Sequence, residues 1–170
     1  MIWLVRHGRP LIRRDQPAHA WELDPAGFDD VWALRESGRL PTDAVWFCSP
    51  EPKATATAQL LTEHEVGVVT GLQEHVRDST DWIDDFEAIV DRAFADPDTP
   101  AYAGWEPLAR CRDRVTRAVT GILAAHPADD VVLVGHGTAW TLVVSELTGQ
   151  PPDLTAWRNL KMPDVLTLEP

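Results

Sequence analysis

The chain contains little of what marks disulfide-rich, metal-binding, secreted or membrane proteins. It has only two cysteines, Cys48 and Cys111, which are too few for a disulfide framework and lack the spacing of a metal-binding motif. No apolar run approaches the roughly 20 residues that cross a bilayer. The first apolar run is interrupted by Arg6 after four residues, unlike a secretory signal. We therefore expect a cytoplasmic protein.

Positive charge is also scarce. Fifteen Lys and Arg residues stand against 27 Asp and Glu residues, for a net charge of −12. This balance argues against non-specific binding to nucleic acid or to an anionic membrane, and we expect neither as a partner. It does not exclude a small anionic substrate, because a pocket can be locally positive. At 170 residues the chain is long enough for one domain with its own core, and we expect a single domain over 1–170.

Strand-like and helix-like segments alternate along the sequence. Short apolar runs predict strands at 2–5, 44–47, 66–69, 131–134 and 165–168. Helical spacing and end signals predict helices at about 24–38, 49–61, 82–95, 108–126 and 137–149. This alternation predicts an α/β fold, a three-layer sandwich with a mostly parallel central sheet and helices on both faces.

Two of the predicted strands end in a histidine beside glycine. Arg6-His7-Gly8 follows the first strand and Gly135-His136-Gly137 follows the fourth, while Ser49 follows the second. Ligands of such sheets bind beyond the carboxyl ends of the strands. We therefore expect both histidines at one site. No Gly-x-Gly-x-x-Gly follows the first strand, which disfavours a nucleotide-binding Rossmann fold.

Short motifs along nearly the whole chain resemble, in order, those of the histidine phosphatase superfamily, which has the phosphoglycerate-mutase-like fold. They are "LVRHGRP" (4–10), "LDPAGFDD" (23–30), "CSPEPKATATA" (48–58), "LQE" (72–74), "GWEP" (104–107) and "VLVGHG" (132–137). Each motif is weak alone, but their order and their strand and helix context make the resemblance specific. The length resembles the small phosphatase branch more than the mutases, which carry extra inserted segments.

The resemblance implies metal-independent hydrolysis of a phosphomonoester through a phosphohistidine at His7. A neutral imidazole is a competent nucleophile near pH 7. His136 would donate a hydrogen bond to the transferring group, where charge is stabilised in the transition state. Glu74 would protonate the leaving oxygen and then activate water. No metal or other cofactor is expected, and the substrate would be a small phosphorylated metabolite or a phosphoprotein.

The remaining candidates concern binding. Arg6 and Lys53 would hold the phosphate, and Gly8 and Gly137 would let the backbone approach it. Arg9, Arg13 and Trp21 lie in the loop after the first strand, where substrate contacts could form. Four arginines of the fourth predicted helix are interpreted as its solvated face: Arg110, Arg112, Arg114 and Arg117.

Two departures from the family pattern leave alternatives open. Lys53 stands where the family has arginine, and a lysine lacks the planar fork that grips two oxygens. The segment 75–82 lacks the family's glycine, so Asp78 or Asp81 could be the acid instead of Glu74. These departures motivate a non-catalytic phosphate-binding or regulatory protein as one alternative, and a phosphomutase is a second. The sequence gives no indication of oligomeric state.

Overall fold

The computed structural model describes residues 1–169, and within them five strands form one sheet. The strands are β1 (Ile2–Arg6), β2 (Val45–Cys48), β3 (Val66–Val68), β4 (Val131–Gly135) and β5 (Asp164–Leu168). Their order is β3-β2-β4-β1-β5. β4 pairs in parallel with β1 and β2, β2 pairs in parallel with β3, and β5 runs antiparallel to β1. The predicted mostly parallel central sheet is confirmed.

Six α-helices accompany the sheet in the described chain. They are α1 (Phe28–Glu36), α2 (Pro52–Leu61), α3 (Phe86–Ala95), α4 (Leu108–Ala125), α5 (Gly137–Thr148) and α6 (Leu154–Asn159). α3 begins four residues later than predicted, because Asp85 caps it by accepting from Ala88 N at 3.3 Å. α6 was not predicted; it is one short helix, capped by Asp153. None of the helices in residues 1–169 is both long and apolar enough to cross a bilayer.

The helices cover both faces of the sheet, because alternate strand residues point to opposite sides. Val131 and Leu133 of β4 pack into a core with residues of α4 and α5. Val132 and Val134 pack into a second core with residues of α1 and α2. All five residues of β4 are buried, as expected for a central parallel strand. The three-layer α/β sandwich is therefore confirmed.

The register of β1 and β4 brings the two histidine motifs side by side. Arg6 pairs with Gly135, and the His7 N–H donates to the Gly135 carbonyl at 2.9 Å. A Cβ at Gly135 would lie 2.6 Å from the Trp140 ring, whose Nε1 donates to the Val5 carbonyl at 2.8 Å. Glycine is therefore needed here so that the buried tryptophan can tie α5 to β1.

Candidate active site

His7 is a buried, neutral imidazole with one defined tautomer. Its Nδ1 lies 2.7 Å from the Gly8 carbonyl oxygen, which can only accept, so Nδ1 carries the proton and Nε2 keeps its lone pair. Burial lowers the pKa of His7 well below 6.5, and the nearby His136 and Lys53 lower it further. A neutral ring with a free Nε2 is the form that can attack phosphorus.

His136 faces His7 from the end of β4. The two ring centroids are 5.2 Å apart in an edge-to-face arrangement. Burial lowers the pKa of His136 to about 3 despite the opposing effect of Glu74, so this ring is also neutral near pH 7. Its Nε2 lies 2.8 Å from Ser49 Oγ and 3.4 Å from Glu51 Oε1. A carboxylate oxygen accepts only, so the arrangement favours the proton on Nε2, where it can be donated.

Arg6 lies against the start of α5, over Gly137. A Cβ at Gly137 would be 3.3 Å from Arg6 Nε, so glycine lets the guanidinium rest on the helix terminus. Arg6 Nη1 donates to the Leu160 carbonyl, and its buried Nε has no partner among residues 1–169. The side chain lines the same cleft as both histidines. An unpartnered guanidinium N–H in this cleft suits an anionic ligand.

Lys53 reaches the cleft from the first turn of α2, but its charge is already compensated. Its ammonium contacts the Glu51 carboxylate and donates to the Ala18 carbonyl at 2.8 Å. Lys53 and Glu51 are 5% and 4% exposed, so they form a buried ion pair. Glu51 was missed at the sequence level, although a lone carboxylate two residues before the lysine of the motif was a signal. The pair leaves Lys53 little free charge for a phosphate.

Glu74 enters the cleft as a cap on α5. Its carboxylate accepts from Thr138 N at 3.1 Å, Ala139 N at 2.9 Å and His75 N at 2.9 Å. Burial alone would raise the pKa of Glu74, but His136, Arg77 and the backbone N–H groups together lower it to about 2. The carboxylate is therefore ionised in the ligand-free site, as expected for an anion at a helix N-terminus.

The backbone that carries Glu74 is held by Arg114, contrary to the interpretation of that arginine as part of a solvated face. The Arg114 guanidinium donates to the carbonyl of Gln73 at 2.8 Å, to the carbonyl of Glu74 at 3.1 Å and to Glu106 Oε1 at 2.6 Å. The helical pattern gave no signal for this role, because Arg114 borders the apolar stripe as the other arginines of α4 do.

Arg77 is a second residue of the cleft that the sequence reasoning missed. It lines the cleft with Glu74 and His136, and its Nη2 donates to Thr138 Oγ1 at 3.2 Å. It is also the only cation between residues 71 and 85, a segment with five carboxylates. That isolated positive charge in an acidic segment was the available signal.

Several candidates of the loop after β1 do not reach the cleft. Arg9 is exposed and pairs with Asp24 at 3.0 Å, and the exposed Arg13 contributes only its carbonyl, which accepts from Trp21 Nε1 at 2.8 Å. Neither side chain lines the cleft, and a substrate contact of Arg9 or Arg13 stays a prediction. Trp21 does line the cleft. Of the alternative acids, Asp78 lines it as well, whereas Asp81 lines an adjoining pocket and accepts from Tyr102.

Gly8 has a packing role that differs from the expected one. A Cβ there would lie 2.7 Å from Val31 Cγ2 and 2.9 Å from Leu23 Cδ1, and the Gly8 N–H donates to Thr57 Oγ1 at 3.0 Å. The N–H is thus occupied, and the close approach of Val31 and Leu23 explains the glycine, while its expected role at a phosphate stays a prediction.

The cleft as a whole has a volume of about 390 Å³, the size of a small-metabolite site. The residues that line it include His7, His136, Arg6, Glu74 and Arg77. In residues 1–169 no group of three or more His, Cys, Asp or Glu side chains is placed to hold a metal ion. What the arrangement offers is a neutral nucleophile, hydrogen-bond donors and guanidinium groups around one space.

Comparison with known proteins agrees with this arrangement. The model of the histidine phosphatase superfamily (branch 1) matches residues 2–169. A Bacillus subtilis (strain 168) protein named uncharacterized phosphatase PhoE is 26% identical over 161 residues, covering 92% of this chain and 82% of that protein.

Solved structures share the fold at lower sequence identity. A mycobacterial glucosyl-3-phosphoglycerate phosphatase has a TM-score of 0.69 and 22% identity, covering 94% of this chain and 83% of that one. A phosphoserine phosphatase of Entamoeba histolytica, in complex with phosphoserine, has a TM-score of 0.70 and 14% identity, covering 98% and 96%. The predicted enzyme class, a phosphatase, is confirmed at the level of the family and its named relatives. With two histidines, Arg6 and Glu74 around one cleft, this chain belongs to the histidine phosphatase superfamily, branch 1.

Proposed function

We propose that this protein hydrolyses phosphomonoesters through a phosphohistidine at His7, without a metal ion. The observation that carries the proposal is the His7 tautomer: Nδ1 is bound to the Gly8 carbonyl, which leaves Nε2 as the lone-pair nitrogen of a neutral ring. Arg6, with its unpartnered Nε, is the first phosphate-binding group of this mechanism.

In the first step the His7 Nε2–phosphorus bond forms while the bond from phosphorus to the leaving oxygen breaks. The His136 Nε2–H, which contacts Ser49 in the ligand-free site, donates a hydrogen bond to a phosphoryl oxygen and keeps its proton, and this hydrogen bond stabilises the charge of the transition state. Glu74 protonates the leaving oxygen. For this it first takes a proton from solvent, because the phosphate dianion that enters beside it raises its pKa from the ligand-free value of about 2.

In the second step water attacks the phosphohistidine. Ionised Glu74 takes a proton from the water, the new phosphorus–oxygen bond forms, and the phosphorus–Nε2 bond breaks. The products are inorganic phosphate and neutral His7, which is again held by the Gly8 carbonyl.

The substrate that fits is a small phosphorylated metabolite. The cleft volume of about 390 Å³ supports this choice, as does the phosphoserine bound to the structural relative from Entamoeba histolytica. A phosphoprotein presenting a single phosphorylated side chain is the other substrate class that we propose. The single domain and the cytoplasmic location stay predictions from the sequence.

The test is hydrolysis of p-nitrophenyl phosphate in the presence of EDTA, with wild type, His7→Ala and His64→Ala. His64 is an exposed control histidine whose Nε2 lies near the Thr42 carbonyl. We expect turnover to survive the chelator, to fall at least roughly a thousandfold in His7→Ala, and to be unchanged in His64→Ala. An acid-labile phosphoenzyme should form in wild type and in His64→Ala, but not in His7→Ala.

Turnover retained by folded His7→Ala contradicts the assignment of the nucleophile. Phosphate binding without any turnover in wild type would instead favour the non-catalytic phosphate-binding protein, for which the compensated Lys53–Glu51 pair is the supporting observation.

A further inference from the structure

Arginine and lysine side chains enter the cleft at three positions, and they differ in whether a carboxylate already pairs with their charge. Arg6 has one buried N–H without a partner. Lys53 uses two of its three N–H donors on Glu51 and the Ala18 carbonyl, and its charge is paired with a buried carboxylate, so it offers a phosphate dianion little uncompensated charge. Arg77 forms no ion pair with any carboxylate of residues 1–169.

The Arg77 guanidinium is partly buried and has spare donors. It lies over two aromatic rings, 4.7 Å from the Trp105 centroid and 4.9 Å from the Phe86 centroid. Of its five N–H donors, one on Nη2 reaches Thr138 Oγ1, while the buried Nε has no partner among residues 1–169. Burial lowers the pKa of Arg77, so the site keeps a costly cation whose hydrogen bonds are incomplete. A ligand with several acceptor oxygens would complete them.

The backbone fixes Arg77 at this place. Arg77 forms an antiparallel bridge with Trp105, flanked by Asp78 N to the Gly104 carbonyl at 2.9 Å and Glu106 N to the Val76 carbonyl at 3.0 Å. Gly104 has a φ of +80°, a conformation that favours glycine. Backbone hydrogen bonds therefore fix the position of Arg77 at the cleft.

The surroundings of Arg77 place it near Glu74, the proposed general acid. Thr138, its hydrogen-bond partner, is in the first turn of α5, two residues after His136, and donates its own N–H to Glu74. Arg77 is thus on the side of the cleft where the proposed general acid meets the leaving oxygen. A guanidinium at that position can hold a phosphoryl oxygen while the ester bond breaks.

We propose that Arg77 is the second phosphate-binding guanidinium of this site and supplies the positive charge that Lys53, paired with Glu51, does not. This inference rests on the proposed function for the identity of the ligand, a phosphomonoester dianion. The inference connects the two departures from the family pattern. The segment 75–82, which lacks the family's glycine, contains Arg77, and Arg77 would compensate for the lysine at position 53.

The test is equilibrium binding of inorganic phosphate by calorimetry, which needs no turnover. The variants are Arg77→Gln, Arg77→Lys, Lys53→Gln and, as a matched control, Arg14→Gln, because Arg14 is also an arginine stacked on an aromatic ring, 4.1 Å from the Trp82 centroid. We expect Arg77→Gln to weaken phosphate binding about tenfold or more, Arg77→Lys to weaken it less, and Lys53→Gln to weaken it less than Arg77→Gln. Arg14→Gln should bind as wild type does.

A second measurement distinguishes an Arg77 that binds phosphate from an Arg77 that only supports the fold. Free guanidinium ion, added to Arg77→Ala well below denaturing concentrations, should restore part of the lost phosphate binding and hydrolysis, and it should not improve Lys53→Gln.

Unchanged phosphate affinity in folded Arg77→Gln would overturn the inference, and so would a loss in Arg77→Ala that guanidinium does not relieve. If wild type shows no phosphatase turnover but Arg77→Gln still loses phosphate affinity, the proposed function fails and the role of Arg77 stands. If wild type turns over through His7 but phosphate affinity does not depend on Arg77, the inference fails alone.

Discussion

His7 and His136 reach the cleft from the ends of two paired strands, whereas Glu74 and Arg77 reach it from a segment outside the sheet. On the strand side, the register of β1 and β4 fixes the histidines, and the hydrogen bond from His7 N to the Gly135 carbonyl closes the arrangement. On the segment side, position depends on polar contacts between parts of the chain that are distant in sequence. Sheet geometry thus positions the proposed nucleophile, whereas a hydrogen-bond network positions the proposed acid–base.

Among the residues that reach the cleft from outside the sheet, replacing Glu74, the proposed acid, should have the largest effect on kcat. We expect Glu74→Gln to lower kcat about 100- to 10,000-fold, because the amide cannot transfer a proton. The loss should be greater for an alkyl phosphate than for p-nitrophenyl phosphate, whose leaving group needs less protonation. Steady-state kinetics on both esters measures this.

Asp78→Asn is the matched control, since Asp78 also lines the cleft but caps no helix. A larger loss in Asp78→Asn than in Glu74→Gln would make Asp78 the acid and reverse the assignment.

Removing Arg114, which holds the backbone of Glu74 but does not line the cleft, should lower kcat by an intermediate amount. Arg114→Met removes the donors to the carbonyls of Gln73 and Glu74 and leaves Glu106 without its cation. We expect roughly a tenfold loss of kcat at nearly constant KM, from misplacement of the acid, again greater for the alkyl ester. The exposed Arg117 of the same helix provides the control Arg117→Met. Equal losses in the two variants, or the same loss on both esters, would show that Arg114 does not position Glu74.

The smallest change is expected from pH, and it tests the strand half of the site. In the proposed mechanism the reactive form of His7 is neutral. Burial lowers the pKa of His7 well below 6.5, so the neutral form persists as the pH falls. Between pH 7.5 and 5.5 an unperturbed histidine would lose about tenfold of its neutral form, whereas His7 should lose less than about twofold. NMR titration of the His7 ring measures this directly. Titration of His7 near 6.5 would contradict the buried, neutral nucleophile.

The sequence was sufficient to predict where His7 and His136 lie, at the ends of two strands. It was insufficient to predict the contacts of the residues that reach the cleft from outside the sheet. Apolar runs that end in His-Gly predict both the sheet and the position of the histidines, because parallel strands share one carboxyl edge. Glu51 and Arg77 contact side chains and backbone groups that lie far away in sequence, so local patterns contain only the unusual charge and not its partner. Arg114 shows the limit most clearly, since it has the same helical environment in the sequence as its exposed neighbours and differs only in what packs above it.

The attachment of Glu74 to the first turn of α5 has a consequence for how this protein can diversify. The same turn follows His136 directly, so Glu74, the proposed acid–base, and His136, the proposed hydrogen-bond donor to the phosphoryl group, are held by one helix and keep their spacing when the surrounding loops change. Insertions or substitutions in 9–23 and 78–85 can then reshape the mouth of the cleft without disturbing the reacting groups. Substrate selectivity can therefore change through the loops at the mouth of the cleft while the positions of the reacting groups stay the same. Such an arrangement suits a fold that takes on new phosphate esters.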